Sequence, residues 1–240
     1  MTAAAVFLAA CGQAVTAPAE DSEPVSWEAF DIAAMQSQRQ GQNVSFLTVL
    51  DNRDFRMGLL HVRRGTETGL IAHRLNAVYH VVSGAARIAG DTLDVDIEPG
   101  DAVFVRGDVE HTIRDVTEDL DLVVVFRLAS LSPNDPDVVS FTREEMVAGA
   151  SEEGSMFNLL LSTSTLGLGM YLVPKGIGAD QLMVHQAAEI KLVAEGTGRF
   201  DLGDGGIRVD PGSIAFIPSG VQHQFRRVAD ALEVLVVWER

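Results

Sequence analysis

The stretch Pro211–His223, PGSIAFIPSGVQH, decides the fold. The apolar run Ile214–Ile217 sits between two turn signals, Pro211-Gly212 and Pro218-Ser219-Gly220, and a histidine closes the phrase. The chain writes it a second time as PGDAVFVRGDVEH over Pro99–His111, with Arg106 and Asp108 in place of Pro218 and Gly220. These copies lie 112 residues apart, and His73/His185, Gly84/Gly196, Leu120/Leu232 and Phe126/Trp238 keep that offset. Nearer the N-terminus the offset is 111, through Phe30/Phe141, Met35/Met146, Phe46/Phe157, Leu50/Leu161 and Gly65/Gly176. A register kept over about a hundred residues marks a tandem duplication, with units expected at residues 25–130 and 131–240.

Each unit reads as short strands. VYHVVSG, AVFVRG and LDLVVVF, with their partners IKLVAEG, IAFIPSG and LEVLVVW, are β-branched runs closed by glycine, proline or charge. The turn spacing predicts an all-β fold of sandwich or barrel type. Short helices are expected at Trp27–Gln38 and after Thr142, which is placed to cap a helix with Glu145 at the capping-box position. Both helices lead into their units at equivalent places, as arms packing across a barrel would. Ser130–Asp137, SLSPNDPD, reads as the linker between units.

With 47% hydrophobic residues in 240, the chain has enough apolar material for a full core. A net charge of −16 repels phosphate backbones and bare anionic bilayers, so nucleic acid is excluded as a partner. Lys175 and Lys191 are the only lysines. No apolar run approaches the ~20 residues of a membrane span. The single cysteine, Cys11, rules out an intramolecular disulfide. Leu8-Ala9-Ala10-Cys11 resembles the lipobox of bacterial lipoproteins, which implies lipidation of Cys11, a truncated signal peptide over 1–10 and a flexible tether over 11–24. No basic residue precedes the apolar run, so either the true start lies upstream or the match is accidental. The first reading puts the protein in the bacterial cell envelope, touching the membrane only through its lipid; the second leaves it cytoplasmic.

Aligned on each other, the units resemble the cupin superfamily. His185, Glu189 and Gly196 fit that family's first motif, and Gly212, Pro218, Gly220 and His223 fit every named position of its second. The resemblance implies two tandem jelly-roll (double-stranded β-helix) barrels with short helical arms, a bicupin. It also implies one divalent metal ion (Fe, Mn, Zn, Ni or Cu) held by His185, Glu189 and His223. Two neutral imidazoles and a carboxylate make a borderline donor set that leaves coordination positions open. Met183 stands where the family has a further histidine, as a core side chain or a soft ligand. Lys191 lies two residues past Glu189 and so on the same strand face. It either serves the site as a charge partner for a substrate or neutralises Glu189 in place of any metal.

In the first unit His73 and His111 survive, but Ala77 stands at the glutamate position and Ile71 at the first histidine position. His80 has the wrong strand parity to join them, and an inward His61 is a remaining candidate third ligand. The expected function is a metal-dependent enzyme (dioxygenase, decarboxylase or isomerase) acting on a small oxygenated molecule in the second barrel. The alternative is a non-catalytic, tethered ligand-binding or protein-docking bicupin whose metal site has degenerated. Monomer and homodimer are both open.

Overall fold

The computed structural model describes residues 26–39, 41–91, 93–151, 156–178 and 181–240. The signal-like segment, Cys11 and the tether lie outside the described residues. The first unit comprises β1 (Glu28–Asp31), α1 (Ile32–Ser37), β2 (Val44–Asp51), β3 (Phe55–Val62), β4 (Asn76–Ser83), β5 (Ala86–Gly90), β6 (Leu93–Ile97), β7 (Ala102–Val105), β8 (Thr112–Arg114) and β9 (Leu120–Arg127). The second comprises β10 (Val138–Phe141), α2 (Arg143–Ser151), β11 (Phe157–Ser162), β12 (Leu166–Val173), β13 (Glu189–Leu202), β14 (Gly205–Val209), β15 (Ser213–Ile217) and β16 (His223–Glu239). The fold is mostly β, with two barrel-like sheets and few helices, as the sequence predicts. One sheet runs β1-β15-β13-β16-β12-β11 with β14 on β13; the other runs β10-β7-β4-β9-β3-β2, with a small sheet β6-β5-β8 beside it.

The arms depart from expectation. Trp27–Gln38 is not one helix: Glu28–Asp31 is a strand, and the helix occupies only Ile32–Ser37, started by Asp31, whose carboxylate accepts from Ala34 N at 2.9 Å. The reason is tertiary, since β1 completes the edge of β15 in the other unit, with Phe30 opposite Ile214. In return β10 pairs with β7 of the first unit, Phe141 opposite Ala102. The two exchanges are equivalent in register, so each unit lends its leading strand to its partner. The second helix starts as predicted, with Thr142 and Glu145 exchanging backbone N–H bonds at 2.9 and 3.3 Å.

Side-chain alternation sorts each central strand between two cores. Ala77, Tyr79 and Val81 of β4 and Leu122 and Val124 of β9 fill the first barrel. Val193 of β13 and Val234 and Val236 of β16 belong to the second barrel. The opposite parity (Val78, Val123, Val125, Ile190, Leu192, Leu235, Val237) joins Phe55, Phe104 and Phe216 in a third core between the sheets. Phe55 and Phe216 meet there edge to face at 6.5 Å. This is why LDLVVVF and LEVLVVW are apolar almost throughout, because both of their faces are covered. Gly84 and Gly196 take φ of 80° and 88°, and a Cβ on either would lie within 2.5 Å of a carbonyl oxygen, so a side chain is barred at both bends.

Truncating Phe216, fully buried between the sheets, is expected to cost about 3–5 kcal/mol. Urea denaturation of Phe216→Ala should show one cooperative transition at a lower midpoint; an unchanged midpoint would contradict the shared core.

Candidate metal centre

Strand β13 aims Glu189 and Lys191 into the second barrel, both buried. Glu189 lies opposite Trp238 of β16, which lies opposite Gly167 of β12; Lys191, Val236 and Gly169 form the next row. His223 opens β16, and reciprocal backbone bonds to Met183 at 2.9 and 3.0 Å fix its position. His185 sits in the loop before β13, where its carbonyl accepts from Gly220 N at 2.8 Å. The turn of one motif thereby clips the loop of the other, and residues 38 apart in sequence meet.

One ligand atom from each of His185, Glu189 and His223 lies within 4.8 Å of the others. Donors on one ion at about 2.0–2.3 Å stand roughly 3–4.6 Å apart, so the set closes on an ion with small side-chain adjustment. His223 Nδ1 donates to Val221 O at 3.0 Å, which leaves the lone pair on Nε2. Among the described residues that Nε2 is buried without a hydrogen-bond partner. Burial first, then the Lys191 charge, push the His223 imidazole down to about 4, so it is neutral and a competent ligand. His185 Nδ1 pairs with Glu189 Oε1. Lys191 Nζ approaches the other carboxylate oxygen, Oε2, at 3.2 Å, in ion-pair range but off hydrogen-bond geometry. The residues fit a divalent cation, with Lys191 as the group that balances the carboxylate without one.

Two of the three donors, His185 and Glu189, line a cavity of about 440 Å³, within the usual range for small-molecule sites. The side chain of His185 is 45% exposed and stands at its mouth, while Glu189 and Lys191 lie deeper. Phe157, Tyr171 and Trp238 supply aromatic walls, and Met183 lines the cavity while packing on the barrel core.

The first barrel holds its two histidines in the same arrangement. The rings of His73 and His111 are 5.4 Å apart at 74°, against 5.2 Å and 82° for His185 and His223. Between them stands the hydroxyl of Tyr79, 3.2 Å from His73 Nε2 and 3.0 Å from His111 Nε2. His111 Nδ1 donates to Val109 O at 2.9 Å, so its Nε2 accepts from the tyrosine, which in turn accepts from His73 Nε2–H. This closed chain uses the lone pair that a metal would need. His61 does not join it but pairs through Nδ1 with the buried Asp121 at 2.9 Å. His80 faces the space between barrels, as its parity predicts. Tyr79 escaped the sequence reading, although the 112-residue offset places it opposite Lys191. The aromatic walls escaped it too, because they come from three strands that the sequence does not order.

A family model described as Cupin domain matches residues 169–238. An uncharacterized protein of Streptomyces coelicolor is 30% identical over 99 residues, covering 41% of this chain and 94% of its own length. Among solved structures, the Cupin 2 conserved barrel domain protein from Leptotrichia buccalis superposes with TM-score 0.69 at 14% identity, over 89% of this chain and 96% of its own. A salicylate 1,2-dioxygenase from Pseudaminobacter salicylatoxidans superposes with TM-score 0.76 at 11% identity, over 90% and 86%.

Two outcomes follow from these groups. Tyr79→Phe leaves His111 Nε2 buried without its donor and is expected to cost about 1–3 kcal/mol in thermal or urea denaturation while leaving metal content unchanged. His73, His80 and His223 are each held down to about 4, chiefly by burial, while in the unfolded chain they titrate near 6.5. Unfolding therefore takes up protons between these values, so metal-free protein should lose stability as pH falls from 6.5 to about 4. A urea midpoint that stays flat across that window would contradict the assignment.

Proposed function

The chain belongs to the cupin superfamily, and we propose that it is a bicupin in which the second barrel is a metal-dependent enzyme site and the first a supporting barrel. The reading rests on one observation: metal-competent atoms of His185, Glu189 and His223 lie within 4.8 Å of one another beside a cavity, and among the described residues His223 Nε2 is buried without a hydrogen-bond partner. A buried polar atom left unsatisfied costs free energy, and an ion would remove that cost. His185, Glu189 and His223 would hold the cation. When bound, it would supply Lewis-acid or dioxygen chemistry toward a small oxygenated molecule, of the dioxygenase, decarboxylase or isomerase kind. The chain's own contribution is to fix His223 in the Nδ1–H tautomer through Val221 O, to exclude water with aromatic walls, and to place Lys191 beside the carboxylate.

A second reading, a non-catalytic small-ligand or docking module, draws on the same Lys191–Glu189 contact, in which an ammonium takes the place of a metal. Lipidation at Cys11 would tether either form to the cell envelope.

Elemental analysis of protein purified without chelators separates the readings. The enzyme reading expects close to one divalent ion per chain, lost in Glu189→Ala and His223→Ala and retained in His111→Ala. Metal-free wild type whose melting temperature does not rise with added Mn(II), Fe(II), Zn(II), Ni(II) or Cu(II) would sink it.

A further inference from the structure

The duplication also builds a cleft between the barrels. Each Pro-Gly turn is clipped to its own central strand, Gly100 N donating to Val81 O and Gly212 N to Val193 O, both at 2.8 Å. Each turn also meets the first residue of a helix. A Cβ on Gly100 would lie 2.8 Å from the Arg143 side chain, and one on Gly212 would lie 3.4 Å from Ile32. Strands β4 and β13, the two turns and the helix starts line a cleft of about 510 Å³. It reaches β13 at Leu192, whose parity is opposite to that of Glu189 and Lys191, and so is separate from the metal cavity.

The cleft repeats in backbone but not in chemistry. The 112-residue offset sets His80 of β4 against Leu192 of β13, and both line the cleft. His80 is 5% exposed, and among the described residues its Nδ1 is buried without a hydrogen-bond partner. The other polar side chains of the lining are engaged: Gln36 donates to Asp121, and Arg143 is held by Glu233 and Glu195. Burial holds the His80 imidazole down to about 4, so it is neutral, with one donor and one acceptor nitrogen. The Asp101 backbone favours a ring proton, and Nδ1 makes no hydrogen bond, so the proton belongs on Nε2. That leaves a lone pair on Nδ1 among aliphatic side chains, a cost that an incoming hydroxyl proton would remove.

We propose that the cleft between the barrels binds a small neutral alcohol or phenol, its O–H donating to His80 Nδ1 and its apolar body against Val82 and Leu192. A carboxylate has no proton for Nδ1 and would meet Glu195, and any charged group would lose hydration against the aliphatic lining.

Titration of the full-length protein with cyclohexanol, cyclohexanone and cyclohexanecarboxylate, followed by NMR of the histidine ring nitrogens and the backbone amides, tests this. Cyclohexanol should move the His80 Nδ1 signal saturably and bind about tenfold more tightly than the ketone or the carboxylate, neither of which carries a donor. His80→Leu copies the residue at the paired position. With its amide spectrum showing a folded chain, it should weaken cyclohexanol about tenfold, read at the Val82 and Leu192 amides, and leave the ketone unchanged. Ketone binding as tightly as alcohol to wild type, or alcohol saturating the protein without moving the His80 signal, would overturn the proposal. None of these titrations needs a metal ion, so the metal-centre reading stands or falls separately.

Discussion

Strand alternation in the central sheets is the constraint on which everything else depends. In β4, β9, β13 and β16 one parity of side chains fills a barrel and the other fills the core between the barrels. A one-residue slip in β13 would carry Glu189 and Lys191 into the apolar seam with Phe55 and Phe216, and Ile190 into the cavity. The ion pair thus depends on the register, and the register is held by the seam and the exchanged arms. That coupling gives Glu189 and Lys191 a rigid floor.

Within that frame the duplicated units satisfy the same pair of imidazoles differently. In both, the second-motif histidine donates Nδ1–H to a carbonyl two residues earlier and presents a bare Nε2 to the interior. In the first barrel Tyr79 meets that lone pair with a hydroxyl proton. In the second, the residue at the same position is Lys191, which leans to Glu189, and no described residue hydrogen-bonds His223 Nε2. Substitutions at positions 77 and 79 against 189 and 191 therefore separate a closed hydrogen-bonded cluster from a donor set open to a cation.

Much of this was legible beforehand. The β-branched runs give the all-β plan, and the resemblance to the cupin motifs implies the His185–Glu189–His223 set. What the sequence could not carry is long-range. That Glu28–Asp31 forms a strand is dictated by the open edge of β15, nearly 190 residues away, and no local propensity encodes it. The role of Tyr79 depends on the inward parity of β4 and on the meeting of His73 and His111, which the sequence does not order. The cavity's apolar character comes from Phe157, Tyr171 and Trp238, brought together by strand order.

The account stands on one barrel that takes an ion and one that Tyr79 closes. Anomalous scattering from crystals soaked in Mn(II) or Zn(II) tests both halves at once. The account predicts a single interior peak, about 2.0–2.3 Å from His185, Glu189 and His223, and none between His73 and His111. A peak in the first barrel, or none in the second while Lys191 stays on Glu189, would contradict it.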